Sequence, residues 1–319
     1  MRDRPSLFGP LALVVAAGGF GLLGPVARLA YETGIEPMAF VAWRAMFGLL
    51  AVAVIVAIQA RLGTAVVNPL RLPRRDAIGL VVVGIAGLAL NLATFIAFDL
   101  TTIALVLLAF YTYPALVAVV AVALGHERLD TTRLVALVLA IGGMVLVVAG
   151  GIDPADSGRP FDPIGVLLGL LAAVSQTIFI TVSRGRFATI PSVQAMGWVI
   201  LLIVIACIPL ALAFGNALDV PLRDSRALGF AAIAGIVGAG VPSVLFLYGI
   251  RAIGGTRAGI LMLIEPLVGV TLAALLLHEA LLPIQVVGGA AILTAALLLQ
   301  REAPTIEPEL VIVPAAERR

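Results

Sequence analysis

Long apolar segments recur along the whole chain, and they limit its possible folds more than any other feature. About ten of them run for ~18–24 residues, the length that an α-helix needs to cross the ~30 Å hydrocarbon layer of a bilayer. We number them spans 1 to 10, with the bounds Leu7–Ala30, Met38–Gln59, Ala77–Phe98, Ile103–Leu124, Thr132–Ala149, Ile164–Val182, Val193–Phe214, Leu228–Ile250, Ala258–Leu277 and Ile284–Leu299. Because lipid offers no partner to an unpaired backbone group, such segments must be helical. The pattern predicts an all-α integral membrane protein with ten transmembrane helices.

The composition also favours a membrane environment. Of the 319 residues, 62% are hydrophobic and 12% are charged, which is more apolar surface than a soluble domain of this size needs. The single cysteine, Cys207, lies inside span 7 and is expected to be a small buried apolar residue. An intrachain disulfide and a cysteine-rich metal site are therefore excluded. Span 1 is too long for the core of a signal peptide, so we interpret it as an uncleaved first helix.

A motif that occurs twice predicts an internal repeat. Pro114 interrupts span 4, and the turn 126–129 (His-Glu-Arg-Leu) follows it; Pro266 interrupts span 9, and the turn 278–281 (His-Glu-Ala-Leu) follows at the same spacing. An offset of about 152 residues superposes the two copies. Repeated segments indicate repeated architecture, and broken spans at matching positions are typical of transporters and point to the binding site. The predicted units are a first five-helix repeat (7–150), an inter-repeat loop (151–162), a second five-helix repeat (163–300) and a disordered tail (301–319).

The arginines predict how the chain crosses the membrane. They are concentrated in the loops and termini on the side where span 1 begins, at Arg2, Arg4, Arg61, Arg71, Arg74, Arg75, Arg128, Arg133, Arg184, Arg186, Arg251, Arg257, Arg301, Arg318 and Arg319. We call this side the arginine-rich face; loops on the opposite face are acidic or mixed. The positive-inside rule makes the arginine-rich face cytoplasmic, so both termini are expected in the cytoplasm and the protein in the plasma (inner) membrane. Because each repeat has five spans, the second repeat is inverted.

The two motifs resemble the drug/metabolite transporter superfamily, in particular its EamA-type branch. The residues that carry the resemblance are Tyr113 and Pro114 with the turn 125–129, Glu265 and Pro266 with the turn 278–281, and Pro37 with Arg44 in span 2. The resemblance covers about Pro10 to Leu299. It implies two inverted five-helix repeats around a central cavity and transport of small metabolites, often outward. The second turn departs from the family pattern, since His278 and Ala280 stand where Gly and Arg are common.

Two ionisable residues inside spans are the leading candidates for a binding site. Glu265 is the acid that lies deepest in a span, and Arg44 lies about two turns inside span 2. A charge at such depth is costly and indicates function by default. Glu265 is predicted to couple protons or to bind a substrate amine; alternatively, it supports the break at Pro266. Arg44 either extends to the membrane surface, binds a substrate carboxylate or pairs with Glu265.

Further candidates are aromatic or polar residues inside the spans. Tyr113 matches the position of Glu265 in the other repeat, so the two are expected to face each other across a pseudo-two-fold axis. Trp198 matches Arg44 and is predicted at the cavity wall, while polar residues such as Asn91 and Gln176 either line the cavity or join helices. The complete candidate set is Glu265, Arg44, Tyr113, Tyr111, Asn91, Gln176, Trp198 and Tyr248, with helix breaks at Pro114 and Pro266.

Glycines are concentrated in spans 1, 5, 8 and 10. They are Gly18, Gly19, Gly21, Gly24, Gly142, Gly143, Gly235, Gly238, Gly240, Gly288 and Gly289. Small residues let transmembrane helices approach closely, so tight packing within the bundle is the main interpretation. Hinges that permit rocking are the alternative.

These features favour a secondary transporter. The sequence lacks the phosphate-binding motif G-x-x-x-x-G-K-[ST], so energy must come from an ion gradient or from the substrate's own gradient. We expect export of a small metabolite, such as an amino acid, by alternating access, without enzymatic activity, cofactor or metal. The alternatives are a carrier of a lipid-linked intermediate, which a lateral cleft would favour, and, less favoured, an intramembrane enzyme. The expected partners are a small-molecule substrate and membrane lipid, not nucleic acid; monomer and dimer both remain open.

Overall fold

The computed structural model describes residues 8–100, 103–125, 130–150, 162–276 and 282–301. Across these residues the chain is helical and has no strand. Eight helical segments in them are long and apolar enough to cross a membrane, and Pro283–Leu298 is a shorter apolar helix. The eight segments are spans 1 to 8, the shorter helix is span 10, and span 9 is described only up to residue 276. The prediction of an all-helical membrane protein is therefore confirmed.

The helices follow the predicted spans closely. In the first repeat, span 1 is α1 (Phe8–Gly21) with α2 (Leu23–Tyr31), span 2 is α3 (Pro37–Arg61), span 3 is α4 (Arg74–Leu100), span 4 is α5 (Ile103–Phe110) with α6 (Tyr113–Ala123), and span 5 is α7 (Thr131–Gly150). In the second repeat, span 6 is α8 (Pro163–Gly185), span 7 is α9 (Ser192–Ala213), and the short α10 (Val220–Arg223) comes before span 8. Span 8 is α11 (Ser225–Gly235), a π-helical turn (Ile236–Gly240) and α12 (Val241–Ile253), span 9 is α13 (Gly255–Met262) with α14 (Ile264–Leu276), and span 10 is α15 (Pro283–Arg301).

Prolines and aspartates determine where several helices begin. Pro37 lies in the first turn of α3, where a missing N–H is not needed by the helix. Asp162 caps α8, because its side chain accepts a hydrogen bond of 2.7 Å from the backbone N–H of Ile164. Asp224 caps α11 in the same way. Asp162 and Asp224, two acidic residues in the loops of the opposite face, therefore cap helices.

Spans 4 and 9 are interrupted at matching places. Residues 111–112 separate α5 from α6, and Leu263 separates α13 from α14. Each interruption lies just before a proline, so Pro114 and Pro266 occupy the first turn of the following helix. A proline supplies no N–H to the carbonyl four residues earlier, which leaves that carbonyl without a helical donor. At the two breaks these carbonyls belong to Phe110 and Met262.

Spans 1 and 8 are interrupted as well, although the sequence predicted continuous helices there. In span 1 the N–H of Leu22 is shared between the carbonyls of Gly18 and Gly19, at 3.3 Å each. Span 8 contains the π-helical turn Ile236–Gly240, a distortion that is frequent at functional sites. The corresponding spans of the other repeat, α8 and α4, run without interruption. The two repeats thus differ in spans 1 and 8.

Helices of the first repeat pack mainly on helices of the second. The pairs are α3 with α9, α4 with α8, α7 with α15, and α1 with both α12 and α14. Large apolar side chains such as Val138 and Leu167, each 63% exposed, cover the outside of the bundle. An exterior of this kind is suited to lipid, not to water.

Glycines permit two of these inter-repeat contacts. A Cβ atom on Gly19 would lie 2.3 Å from Cγ of Pro242, so a larger residue would clash. A Cβ atom on Gly143 would lie 2.5 Å from the carbonyl oxygen of Gly288, and one on Gly288 would lie 2.4 Å from that of Gly143. Small residues at these positions bring the helix backbones into direct contact, as the glycine pattern predicts.

Several predictions concern residues outside the described ranges. These are the turns 126–129 and 278–281, the inter-repeat loop up to residue 161, and the tail after Arg301.

Candidate functional site

The first group of polar side chains joins spans 2 and 3. Arg44 on α3 is 9% exposed, and its Nη2 donates a hydrogen bond to Oδ1 of Asn91 on α4. Asn91 is itself held by its own helix, because its Nδ2 donates to the carbonyl of Gly87 at 2.7 Å. The guanidinium therefore lies inside the bundle and does not extend to the membrane surface.

A small cavity adjoins this group. Its volume is about 10 Å³, and Met38, Val41, Leu92 and Cys207 line it together with Asn91. A cavity of roughly this size holds one water molecule. Cys207 is a free cysteine and is 2% exposed, which agrees with its prediction as a buried residue. The polar end of Asn91 thus borders a space that is otherwise apolar.

The second group lies where spans 4 and 9 are interrupted. The side chain of Tyr111 lies close to the carboxyl group of Glu265. Tyr113 also lies close to this carboxyl group, and the ring centroids of Tyr111 and Tyr113 are 6.5 Å apart. Both tyrosines are almost completely buried, at 2% and 1% exposed. The first repeat therefore supplies the tyrosines and the second repeat supplies the acid.

The two groups offer complementary chemistry. The guanidinium of Arg44 presents several N–H donors in a fixed plane, which suits a carboxylate. The carboxyl group of Glu265 accepts hydrogen bonds at about four positions, so it can bind an ammonium group. It can also take up and release a proton. The structure gives Arg44 a hydrogen bond to Asn91 and places Tyr111 beside Glu265.

Three other candidates lie on different helices. Gln176 on α8 is 9% exposed, and Trp198 on α9 is half-buried. Tyr248 on α12 is 37% exposed, and its ring makes an edge contact with Phe8, with the centroids 5.2 Å apart. Tyr248 therefore lies beside the start of α1, near the arginine-rich face.

Two arginines that the orientation argument placed in a loop lie in helices instead. Arg251 belongs to the last turn of α12, and Arg257 belongs to the first turns of α13. Only Gly254, with φ of 87°, separates these two helices, so no loop is present there. Arg257 is 7% exposed. These arginines are part of the bundle, and their role is not limited to setting its orientation.

Arg251 donates hydrogen bonds to the linker between spans 6 and 7. Its Nη1 donates to the carbonyl of Ile190 at 2.7 Å and to the hydroxyl of Ser192 at 3.2 Å, and its Nη2 donates to the carbonyl of Phe187 at 3.0 Å. The guanidinium also lies over the Phe187 ring, 5.3 Å from its centroid, where a cation is attracted to the ring face. The sequence did not reveal this role, because an arginine at a span end is usually a topology signal.

The same face also contains contacts between the two repeats. The side chain of Gln194 accepts a hydrogen bond from the N–H of Val67 and donates one to the carbonyl of Ala65, both at 2.9 Å. Asp76 accepts a hydrogen bond from the N–H of Phe187 at 3.0 Å. Together with the bonds of Arg251, we call these the arginine-face contacts. In the sequence, the signal for this role of Gln194 was its position, one turn after Pro191.

A second set of contacts joins the repeats on the opposite face. Nε1 of Trp43 donates to the carbonyl of Leu218 at 2.9 Å. The side chain of Glu36 accepts a hydrogen bond from the N–H of Ala217 at 3.2 Å. We call these the opposite-face contacts. Both groups of candidate residues thus lie between two ends of the bundle that are held together by hydrogen bonds.

Comparisons with known proteins match this architecture. Residues 7–149 and residues 163–301 both match the model of the EamA-like transporter family. An uncharacterized transporter of Archaeoglobus fulgidus is 27% identical over 297 residues, which make up 92% of this chain and 97% of that relative. A protein of known crystal structure superposes with a TM-score of 0.78 at 21% identity, covering 94% of this chain and 98% of its own. At that identity, the crystal structure supports the fold alone.

Proposed function

Because the chain belongs to the EamA-like transporter family, we propose that it is a secondary transporter that moves a small metabolite by alternating access. The family and the helical fold make it a multi-pass membrane transporter. Our proposal adds that the substrate is an amino acid or a related zwitterion, that transport is outward, and that the protein is not an enzyme.

One observation carries the choice of substrate: a buried arginine, Arg44, and a half-buried acid, Glu265, lie in one bundle. Burying a charged side chain at the centre of a transmembrane helix costs roughly 2.5–3.5 kcal/mol on insertion scales. Arg44 donates a hydrogen bond to Asn91, and Glu265 lies beside Tyr111 and Tyr113; in our proposal this guanidinium and this carboxyl group are the two groups that meet the substrate. A zwitterion presents a carboxylate to the guanidinium and an ammonium group to the acid.

The orientation follows from the arginines. With the arginine-rich face in the cytoplasm, both termini are cytoplasmic in the plasma (inner) membrane. In that orientation α13 begins on the cytoplasmic side and brings Glu265 to the middle of the membrane, roughly 15 Å along the helix. The acid is therefore within reach of protons or substrate from either side once the corresponding face opens.

Counterflow in liposomes tests the proposal. Vesicles loaded with one amino acid should accumulate the labelled form of the same amino acid, and Glu265→Gln should abolish this exchange if the acid binds the ammonium group. If Glu265→Gln abolishes only the response to an imposed pH gradient, the acid couples protons instead. The matched control is Glu32→Gln, which changes an exposed acid on the opposite face and should leave exchange unchanged.

The arginine is tested in the same assay. Arg44→Gln should abolish exchange of amino acids, because it removes the guanidinium that binds the carboxylate. Arg61→Gln changes an exposed arginine at the end of α3 and serves as its control. Exchange that survives both Arg44→Gln and Glu265→Gln would contradict a zwitterion site at these residues.

A further inference from the structure

The linker between spans 6 and 7, residues 186–191, contains a residue in an unusual backbone conformation. Phe187 has a φ of 42°, and among the described residues it is the one residue other than glycine with a positive φ. This left-handed conformation is disfavoured because the Cβ atom comes too close to the following carbonyl oxygen. Such strain persists only where the surrounding structure holds it, and it is concentrated at binding sites and switches. The contacts of Phe187 therefore indicate what the linker does.

Phe187 is held from both repeats. From the first repeat, the side chain of Asp76 on α4 accepts a hydrogen bond of 3.0 Å from its backbone N–H. From the second repeat, Arg251 on α12 donates to its carbonyl at 3.0 Å and lies over its ring. The side chain of Phe187 is 1% exposed. The N–H, the carbonyl and the ring are thus all fixed, and together these contacts hold the strained backbone in place.

The linker also packs directly on α4 of the first repeat. A Cβ atom on Gly79 would lie 2.8 Å from Cβ of Arg186 and 3.2 Å from Cδ1 of Phe187. Asp76 and Gly79 are three residues apart, so both lie on the face of α4 that meets the linker. At the other end of the linker, Ile190 is 1% exposed. The linker therefore closes the boundary between the repeats on the arginine-rich face.

The corresponding linker of the first repeat contains a left-handed residue without strain. That linker ends at Pro37, as the 186–191 linker ends at Pro191, and its left-handed residue is Gly34, with a φ of 85°. Glycine has no Cβ atom and adopts this conformation at no steric cost. Gly34 lies three residues before its proline, and Phe187 lies four residues before its own. The strain at Phe187 is therefore particular to the arginine-rich face.

We propose that the 186–191 linker is a latch on the arginine-rich face, which Asp76 holds closed and which the strained backbone of Phe187 helps to release. The inference rests on the proposed function, because alternating access requires the repeats to separate at this face. When they separate, α4 moves away from the linker, and the N–H of Phe187 loses its acceptor. The backbone of Phe187 then relaxes to a negative φ, which offsets part of the cost of breaking the contacts.

Thiol labelling of the linker tests the latch without any substrate. Ile190→Cys in a Cys207→Ser background provides a single buried thiol, which N-ethylmaleimide reaches when the linker is released. Asp76→Ala should raise the labelling rate at least about fivefold, since the N–H of Phe187 loses its acceptor in the closed state. Asp76→Asn is the matched control, because its amide oxygen can accept the same hydrogen bond, and its rate should stay within about twofold of wild type. A wild-type rate in Asp76→Ala would overturn the inference.

Two substitutions of Phe187 isolate the contribution of the strain. Phe187→Ala and Phe187→Gly both remove the ring, but only alanine keeps the Cβ atom that disfavours a left-handed backbone. Labelling of Ile190→Cys should be about fivefold slower in Phe187→Gly than in Phe187→Ala, the equivalent of ~1 kcal/mol. Gly34→Ala introduces the same strain on the opposite face and should leave labelling at residue 190 unchanged. Equal rates in the two Phe187 variants would show that the backbone strain does not act on the latch, and would overturn the inference.

A reversible cross-link tests whether the linker must leave α4 during transport. The Cβ atoms of Gly79→Cys and Arg186→Cys would lie 2.8 Å apart, so a shift of about 1 Å gives the ~3.8 Å spacing of a disulfide. In the Cys207→Ser background, oxidation of this double variant should stop counterflow of the labelled amino acid, and a reductant should restore it. Arg186→Cys alone should not respond to oxidation. Exchange that continues after complete cross-linking would overturn the inference.

The two kinds of measurement separate failure of the inference from failure of the proposed function. If the reduced protein exchanges no amino acid but the Asp76 and Phe187 variants change the labelling as expected, the proposed substrate is wrong and the latch stands. If amino acids exchange but the labelling rates do not differ, the proposed function stands and the latch is overturned. The labelling does not depend on the cysteine pair, so it decides the inference even where the double variant fails to fold.

Discussion

At both ends of the bundle, the start of one helix binds the loop that follows another helix, but the hydrogen-bonding groups differ between the ends. On the arginine-rich face, Gln194 at the start of α9 holds the loop that follows α3. On the opposite face, Trp43 near the start of α3 holds the loop that follows α9. Because the repeats are inverted, one topological contact occurs twice, once at each end. Each repeat thus binds the loop of the other.

The hydrogen bonds at the two ends of the bundle differ in strength. On the arginine-rich face three hydrogen bonds join the repeats, two at Gln194 and one at Asp76, and Arg251 fixes the Phe187 segment that Asp76 binds by further bonds within the second repeat. The opposite-face contacts include a neutral indole bond and an exposed acid. Hydrogen bonds to charged groups contribute about 1.5–3 kcal/mol, against about 0.5–1.5 kcal/mol for neutral ones. We therefore expect the opposite face to separate at a lower free-energy cost.

The largest effect is expected from Arg251→Leu. The change removes the donor from two carbonyls and a hydroxyl, so the free energy of unfolding should fall by roughly 2–4 kcal/mol. Thermal unfolding in detergent measures the loss. The control is Arg226→Leu, which changes an exposed arginine on the opposite face. Its free energy of unfolding should lie within about 0.5 kcal/mol of the wild-type value. Equal effects of the two variants would show that the hydrogen bonds of Arg251 do not stabilise the fold.

Gln194→Leu should open the arginine-rich face. It leaves the N–H of Val67 and the carbonyl of Ala65 without their partner, at a cost of roughly 1–3 kcal/mol. The measurement is maleimide labelling of Val67→Cys in a Cys207→Ser background, which should become faster. Trp43→Phe is the reciprocal control, since it acts at the other end and should leave labelling at residue 67 unchanged.

Trp43→Phe should loosen the opposite face to a smaller extent. The ring is largely kept, but the hydrogen bond to Leu218 is lost, which costs about 1 kcal/mol. Faster maleimide labelling of Ala217→Cys, again in a Cys207→Ser background, would measure this loosening. Labelling that does not change would mean that the indole bond does not hold this end.

The smallest effect is expected from Glu36→Gln. The amide oxygen of glutamine can accept the same hydrogen bond from Ala217, and the side chain is exposed. The free energy of unfolding should change by less than about 0.5 kcal/mol. A larger loss in thermal unfolding would show that the charge of Glu36, and not only its acceptor, holds the loop.

Features encoded in local sequence were predictable. Span lengths follow from apolar runs, and the interruptions of spans 4 and 9 accompany Pro114 and Pro266. The interruption of span 8 was not predictable, because it occurs where Pro242 meets Gly19 of span 1, a residue far away in the chain. A proline alone does not distinguish a continuous bent helix from a π-helical turn.

The candidate site was predictable in its residues but not in their partners. The positions of Arg44 and Glu265 within spans already indicated burial. That Arg44 bonds to Asn91 and that Tyr111 lies beside Glu265 depends on how separate spans pack, which no local pattern encodes. The roles of Gln194 and Arg251 were not predicted, because polar residues near span ends are usually solvated. Only the fold shows that they reach backbone groups of other segments.

The contact between Gly143 and Gly288 has a consequence for the order of assembly. The ribosome completes span 5 well before span 10, with about 145 residues between the two glycines. At ~5–20 residues per second, span 5 remains in the membrane for roughly 7–30 s before its partner is made. During that interval the close-packing surface around Gly143 faces lipid or the insertion machinery. The first repeat therefore cannot finish its own packing until the last helix has been synthesised.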